Sequence, residues 1–409
     1  MLATLLSICL SILLLWQEIA YKDTFVFPDT SLVVLLGGAG IFLLFPWLIS
    51  KQKKANYKQV KQYSPVIASY YHQEIHSFFL QLCYTFFPLF SLFVALNPIQ
   101  IPSINPSYLF CTWLIFFGFS IDRLLRYMKK THAYNDPYFV LNAVETEGKK
   151  AIKSWNIDKA YPWIDALSEI AIKSLRRGEL SYSKECIDNI YKLTLYYVEH
   201  QETSLLRNSD PEALEEKINF TLLYIMQRLE LIFLQALADG MDTICSFILR
   251  IFAKLTIELT LIDPRLAVTT PQILGKLTET AFHEGSKDLA LQGSCAIEET
   301  LKGIIQNIDQ DQEIDVIDPC LGLIFALQHL SEEQFRANKL IEIGYLQAPF
   351  RNLLELVNSP YYAERKDLAR VKSELERVIG QFEALALVMA KVPPNDMQDT
   401  DQEESSSNE

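Results

Sequence analysis

The chain has 409 residues and a formal net charge of −13 at pH 7, and half of its residues are hydrophobic. Residues 1–130 carry ten Lys and Arg against five Asp and Glu, whereas residues 131–409 carry 27 against 45. This division excludes a single soluble domain, a wholly disordered chain and a basic nucleic-acid binder. It predicts a membrane domain over 1–130 joined to a cytosolic domain.

Four apolar stretches predict transmembrane helices at about 1–20, 30–50, 75–96 and 107–122, because a helix needs about 20 apolar residues to cross the hydrocarbon core. The first is expected to remain as an anchor, since it has no basic n-region and no small-residue cleavage site follows Trp16. The spans carry no Asp, Glu, Lys or Arg near their centres. This absence argues against an ion-coupled pump.

Basic residues set the expected orientation. The linker after the second span contains five lysines, and the segment after the fourth contains Arg123, Arg126, Lys129 and Lys130. Because positive residues stay on the cytoplasmic side, we expect a bacterial inner-membrane protein with both termini in the cytoplasm. The linker lysines either only fix this topology or also bind anionic lipid headgroups. They are Lys51, Lys53, Lys54, Lys58 and Lys61.

The segment that follows the spans resembles a known family. It reads Asn135-Asp136-Pro137-Tyr138-Phe139-Val140-Leu141, and Ala151-Ile152-Lys153 comes shortly after. It is similar to the D-P-x-F-x-L segment of domain of unknown function 2254, a family of uncharacterised bacterial membrane proteins. The family's later S-P-x-x-N-D-P signature is missing, and Trp155 to Asp158 stand in its place. The resemblance implies a membrane context and supplies no catalytic residues.

Helical periodicity dominates residues 131–391. Asp210-Pro211 predicts the start of one helix and Asp239-Gly240 its end. Its apolar face recurs every three or four residues, at Leu214, Ile218, Leu222, Ile225, Leu229, Ile232 and Ala236. Residues 241–262 are apolar nearly all round, with a polar stripe at Arg250, Lys254 and Glu258. This pattern predicts a buried central helix with one wet edge, and a fifth span remains the alternative.

Later helices have weaker signals. Ser331 with Gln334 predicts a helix cap, and Ser359-Pro360 predicts the start of the last helix. Strand signals are scarce and no repeat has a fixed period. We therefore expect an all-α protein, in which a four-helix transmembrane domain precedes an all-helical cytosolic bundle or solenoid-like domain.

The last predicted helix, 361–391, carries a heptad seam. Its members are Leu368, Val371, Leu375, Val378, Phe382, Leu385 and Met389. Such a seam either packs within its own domain or joins subunits into a homo-oligomer. Residues 392–409 carry six acids and no Lys or Arg, and are expected to be disordered.

Motifs for chemistry are few. The seven cysteines lack metal or disulfide spacing, and His72 with His76 supplies only two ligands of a metal site. Asn307 to Asp315 lacks the glycine of a calcium loop, and His283 and His329 stand singly in helical patterns. We therefore predict no enzyme activity, no metal and no cofactor.

The leading prediction is a multi-pass membrane protein that acts as an anchored interaction or scaffold protein. Its expected partners are the lipid bilayer, cytosolic proteins and a possible second copy of the chain, with no nucleic acid. The alternative is an oligomeric ion channel with a cytosolic gating or sensing domain. Uncharged spans that carry Ser7, Ser11, Thr85 and Ser91 permit a water-lined pore.

Overall fold

The computed structural model describes residues 2–21, 35–40, 44, 51, 54, 57–58, 60–61, 64–75, 86–94, 106–134, 136–154, 157–205, 211–307, 316–338, 341–362, 365–366 and 368–389. These residues form helices and turns and contain no strand, so the all-α prediction is confirmed for them. The chain divides into two compact units, Met1–Thr146 and Glu147–Glu409. The sequence placed this boundary earlier, at 130/131.

Among its described residues, the first unit has three helices with defined bounds and the beginning of a fourth. They are α1 (Leu2–Tyr21), α2 (Pro65–Ile75), α3 (Pro106–Ala133) and α4 (Pro137–Lys153), and the division between the units falls within α4. Residues 35–40 and 86–94 are also helical. Helix α3 extends beyond the predicted span 107–122, through its basic residues to Ala133.

Helices α1 and α3 pack against each other in opposite directions. The Thr4 amide donates to the Asp122 carboxylate at 2.9 Å, and the Ser11 hydroxyl donates to the Cys111 carbonyl oxygen at 3.3 Å. Because residue numbers rise along one helix as they fall along the other, the pair is antiparallel.

An aromatic core holds the other helical segments of this unit to α3. Leu35, Phe87, Val94 and Trp113 are buried together, and the Trp113 indole nitrogen donates to the Ser91 hydroxyl at 2.8 Å. A Cβ atom built on Gly38 would lie 2.9 Å from the Trp113 ring. Glycine at this position therefore permits the close approach of residues 35–40 to α3.

The second unit is built from nine described helices. They are α5 (Tyr161–Arg176), α6 (Leu180–Leu205), α7 (Pro211–Ala238), α8 (Asp242–Ile262), α9 (Thr269–His283), α10 (Lys287–Asn307), α11 (Ile317–Ala337), α12 (Ile343–Val357) and α13 (Ala369–Met389). Short 3-10 turns lie at Ile157–Lys159 and Pro264–Ala267.

The described helices of the second unit stack in two layers. One layer contains α5, α7, α9, α11 and α13, each in contact with the next. The other contains α6, α8, α10 and α12, again with each in contact with the next. Since consecutive helices alternate between layers, the arrangement is that of a helical solenoid, which is one of the two predicted forms.

Helices α7 and α8 match their sequence patterns. The described part of the predicted α7 face, Ile218 to Ala236, is buried, and the helix ends before Gly240, which has φ +67°. Helix α8 is buried on most sides, with Arg250, Lys254 and Glu258 exposed as its one polar edge. Both predictions are confirmed, and the expected break at Asp263-Pro264 is present.

Two predicted helix starts are wrong. Ser331 lies buried in the interior of α11 rather than at its beginning. Residues 358–362 form a turn, closed by the Tyr362 amide donating to the Ser359 carbonyl oxygen at 3.0 Å, and the last described helix begins only at Ala369. At these two sites the position of the helix ends is set by packing against other helices and not by the local capping residues.

Two described helices are long and apolar enough to cross a membrane, Tyr108–Ala133 in α3 and Glu216–Ala238 in α7, and the apolar part of α1 is shorter. Of the four predicted spans, only 107–122 lies in a helix that meets this criterion. Most of the predicted spans 30–50 and 75–96 lies outside the described residues. Helix α7 contacts α5, α6, α8 and α9. Its buried apolar face belongs to the core of the second unit, while Phe220, Leu223, Leu231 and Leu234 are exposed.

Candidate functional site

A shallow groove of about 360 Å³ runs between α9 and α11. These helices are parallel, because Gly322 approaches Pro271 and Gly275 approaches Ala326 in rising order along both. A Cβ atom on Gly275 would lie 2.7 Å from the Ala326 Cβ atom, so the helix axes come unusually close. Phe325, 49% exposed, stands at the groove and gives it an apolar wall.

Glu279, His329 and Lys276 line this groove, and His283 and Glu333 lie beside them. His283 Nε2 lies 3.5 Å from one oxygen of Glu279, and His329 Nδ1 lies 3.7 Å from the other. Glu333 Oε2 lies 4.0 Å from His283 Nε2, while Arg336 pairs with Glu333 Oε1 at 2.6 Å. The histidines are about half exposed, so these ion pairs contribute little to stability.

The sequence treated His283 and His329 as isolated residues. His283 lies one turn after Glu279 on α9, and the parallel packing of α9 and α11 brings His329 to the same carboxylate. Within the described part of the chain, no group of three or more His, Cys, Asp or Glu side chains is arranged to hold a metal ion. The groove therefore combines an apolar wall with an edge that Glu279 makes acidic, since the Lys276 ammonium of the lining is paired with Glu230. Such a surface suits an apolar or basic side chain of a binding partner.

A smaller cleft of about 170 Å³ lies among α10, α11 and α12. Its lining includes Cys295 and Glu298, and the Asn352 side chain donates to Glu298 at 3.2 Å. Burial, with nearby Glu298 and Glu299, raises the pKa of the Cys295 thiol. Because the thiolate is the nucleophile, the raised pKa slows the reactions of the Cys295 thiol, although its side chain is exposed to solvent. The volume is also below that of an ordinary small-molecule pocket.

The predicted headgroup-binding lysines share one helix face where the structure describes them. Lys51, Lys54, Lys58 and Lys61 are exposed and follow a spacing of three, four and three residues, while Val60 is buried. Lys53 lies outside the described residues. A spacing of three, four and three residues is that of one face of a helix.

The heptad seam of α13 is largely internal. Leu368, Val371, Leu375, Val378 and Phe382 are buried, and α13 contacts α11 and α12. The structure favours the internal-packing alternative at these five positions, because no free surface remains there to join subunits. Leu385 and Met389 are half-buried.

The hydroxyls proposed for a water-lined pore lie within helix contacts. Ser11 donates to the Ser7 carbonyl oxygen, and Ser91 donates to the Phe87 carbonyl oxygen, each at 2.8 Å. Ser11 and Ser91 are buried, whereas Thr85 lies outside the described residues, as do His76 and residues 308–315. The described serines therefore serve packing between helices.

Comparisons with known proteins add little. No family model matches the chain, and no curated protein matches it. Among solved structures, a "circular tandem repeat protein with novel repeat topology and enhanced subunit contact surfaces" is 13% identical, over 92% of this chain and 89% of that one, with a TM-score of 0.37. A likeness at this TM-score carries no argument about fold or function. The resemblance to domain of unknown function 2254 stays a prediction.

Proposed function

We propose that the protein is a multi-pass membrane protein of the bacterial inner membrane, and that its second unit is a cytoplasmic scaffold for protein partners. The proposal has two parts, membrane anchoring by the first unit and binding by the second. Each part has its own structural support and its own test.

Outward apolar side chains of the first unit carry the membrane part of the proposal. Leu5, Leu6, Leu13 and Trp16 of α1 are 59–68% exposed, although the helix also packs on α3. Similar exposed side chains occur at 86–94 and on α3, namely Phe86, Leu89, Leu92, Phe93, Ile115 and Phe116. Soluble proteins rarely leave so much contiguous apolar surface in water, and lipid acyl chains would cover it.

The antiparallel α1–α3 pair supports the predicted orientation. The bond between Thr4 and Asp122 brings the beginning of α1 to the level at which the apolar part of α3 ends. Arg123, Arg126 and Lys129 follow at once. The positive-inside rule assigns this level to the cytoplasmic side. The exposed lysine face of residues 51–61 fits the same side, where it would meet anionic headgroups.

The two-layer stack supports the scaffold part. Stacked helical pairs present long exposed faces to partners, and the groove between α9 and α11 offers an apolar wall with an acidic edge. A basic or apolar peptide segment of a cytosolic protein matches that chemistry. Binding to this groove should weaken at high salt, because dissolved ions screen the attraction between its acidic edge and a basic partner.

Labelling of single cysteines tests the membrane part. In a chain whose own cysteines are replaced by serine, Ser103→Cys should react with an impermeant thiol reagent added to cells with a permeable outer membrane. Lys54→Cys and Lys366→Cys should react only after the inner membrane is opened. Labelling of Lys54→Cys but not Ser103→Cys in intact cells would contradict the orientation, and release of the chain by alkaline carbonate would contradict membrane insertion.

A photocrosslinking residue in place of Phe325 tests the scaffold part. We expect a discrete protein adduct in cells, lost when Glu279 is changed to Lys, because that change reverses the charge of the groove edge. The same crosslinker at exposed Tyr361, away from the groove, is the matched control. Equal adducts at Phe325 and Tyr361 would mean that the groove has no partner of its own.

A further inference from the structure

Helix α7 carries a second apolar row opposite its buried face. Phe220, Leu223, Leu231 and Leu234 are 65%, 38%, 47% and 40% exposed, and Gln227 at the centre of the row is also exposed. At 3.6 residues per turn these side chains lie within about 40° of Gln227 and span about 21 Å of the helix. The row is an outward stripe without a charged residue, and we call it the α7 stripe.

The spacing of the α7 stripe is symmetric. Leu223 and Leu231 lie four residues before and after Gln227, and Phe220 and Leu234 lie seven residues before and after it. If a second α7 helix runs antiparallel to the first with the two Gln227 residues opposite each other, apolar side chains of one helix therefore face apolar side chains of the other. Leu223 and Leu231 also fall on opposite edges of the stripe, so that facing pairs interleave.

Ion pairs within the chain border the stripe. On one side Arg228 Nε lies 2.8 Å from Asp165, and the Tyr224 hydroxyl donates to the same carboxylate at 2.6 Å. On the other side Lys276 pairs with Glu230 at 2.5 Å. Because each of these charges has an opposite partner in its own chain, two copies can meet here without unpaired like charges.

We propose that the α7 stripe binds a second copy of this chain, with the two α7 helices antiparallel about a two-fold axis at Gln227. An isologous contact requires a patch that is complementary to itself, and the palindromic spacing supplies it. Leu223 then meets Leu231 of the other copy, Phe220 meets Leu234, and the two Gln227 amides bond each other across the axis. A bilayer surface is a poorer occupant, since residues 131–409 are acidic and anionic lipids repel acidic segments.

This contact differs from the one that the sequence suggested. The seam of α13 is buried within the chain, whereas the α7 stripe is exposed. The proposal does not depend on membrane anchoring, and it can succeed or fail independently of the proposed scaffold role.

Oxidative crosslinking of the full chain tests the two-fold axis. Variants are prepared with Cys9, Cys83 and Cys295 replaced by serine, and cells that contain them are treated with copper phenanthroline. A residue on a two-fold axis meets its own copy, so Gln227→Cys should give a disulfide-linked dimer on a non-reducing gel. Phe220→Cys and Leu234→Cys, as matched controls, should each give at least tenfold less dimer alone, and co-expression of the two should restore it.

Several results would overturn the proposal. Equal crosslinking at positions 220, 227 and 234 would indicate random collision, and no crosslinking at 227 would show that the axis is not there. Changing Leu231 to Glu should also abolish the crosslinking of Gln227→Cys. Because Leu231 is exposed, the fold should persist in this variant, and circular dichroism will check that it does. A dimer that survives this change does not use the stripe. Protection of Gln227→Cys from alkylation without any dimer would assign the stripe to lipid or another protein.

Discussion

Gly275→Ala tests the closest helix contact of the second unit. The added methyl group would lie 2.7 Å from the Ala326 Cβ atom and 3.5 Å from its Cα atom. Ala326 Cβ is fixed to the backbone, so it cannot swing away as the end of a long side chain can. Overpacking of this kind costs about 1–3 kcal/mol, whereas alanine in place of glycine within a helix returns about 1 kcal/mol. We expect a net loss of up to about 2 kcal/mol.

Gly380→Ala is the matched control. Gly380 lies exposed within α13, and a Cβ atom there would meet nothing within 4 Å. Only the helix propensity changes, so this variant should gain about 0.5–1 kcal/mol. The two substitutions are chemically identical, and they should shift the free energy of unfolding in opposite directions.

The measurement uses the full chain in detergent, with urea unfolding followed by pulsed alkylation of Cys245 and Cys320. Both thiols are buried in the second unit, so their exposure reports on that unit alone. With a urea dependence of about 3 kcal/mol per M, the midpoint should fall by up to about 0.7 M for Gly275→Ala and rise by about 0.2–0.3 M for Gly380→Ala. A rise in both variants would refute the close approach of α9 and α11.

Three further predictions concern buried groups. Burial raises the pKa of the Cys245 thiol to about 12. In the folded chain, Cys245 should therefore resist Ellman's reagent at pH 8 while the exposed Cys295 reacts, and peptide mass mapping will identify the modified cysteine. Equal rates of modification at the two cysteines would contradict the packing. Leu375→Asp, at a fully buried site of α13, should destabilise the second unit by several kcal/mol through an unpaired buried charge, and should lower its helical dichroism; an unchanged dichroism and midpoint would contradict internal packing. Ser91→Ala removes the acceptor of the Trp113 indole and should cost about 1–3 kcal/mol, measured by the urea midpoint of tryptophan fluorescence, with Ser91→Thr retaining more stability than Ser91→Ala.

Strong periodicity explains what the sequence could predict. Helices α7 and α8 follow from long apolar repeats bounded by Asp239-Gly240 and Asp263-Pro264, and the exposed edge of α8 follows from three charges four residues apart. These signals are local, and each agrees with the packing that the second unit imposes. The all-α class follows for the same reason.

Contacts between distant segments explain what the sequence missed. Glu279 and His329 are fifty residues apart, and only the parallel packing of α9 and α11 joins them. The sequence did not predict the exposed apolar row of α7. Phe220 and Leu234 have the same helical spacing as the residues of the buried row, so the pattern alone does not show which row is exposed. Ser331 carries a capping pattern, yet its neighbours continue the helix because α11 is held by packing on both sides of it. Of the four predicted spans, only 107–122 coincides with a described helix that is long and apolar enough to cross a membrane.

The position of α13 gives the stack an end. Among the described helices it is the last member of its layer, and its inner side covers apolar residues of α11 and α12. Its outer side is polar and exposed, with Arg370, Ser373, Glu376, Arg377 and Gln381. A solenoid without such a terminal helix would expose the apolar side chains of its last helices to solvent and to other molecules. Helix α13 thus acts as a cap, and a chain cut after residue 362 should associate with other copies through the apolar residues of α11 and α12 that α13 covers.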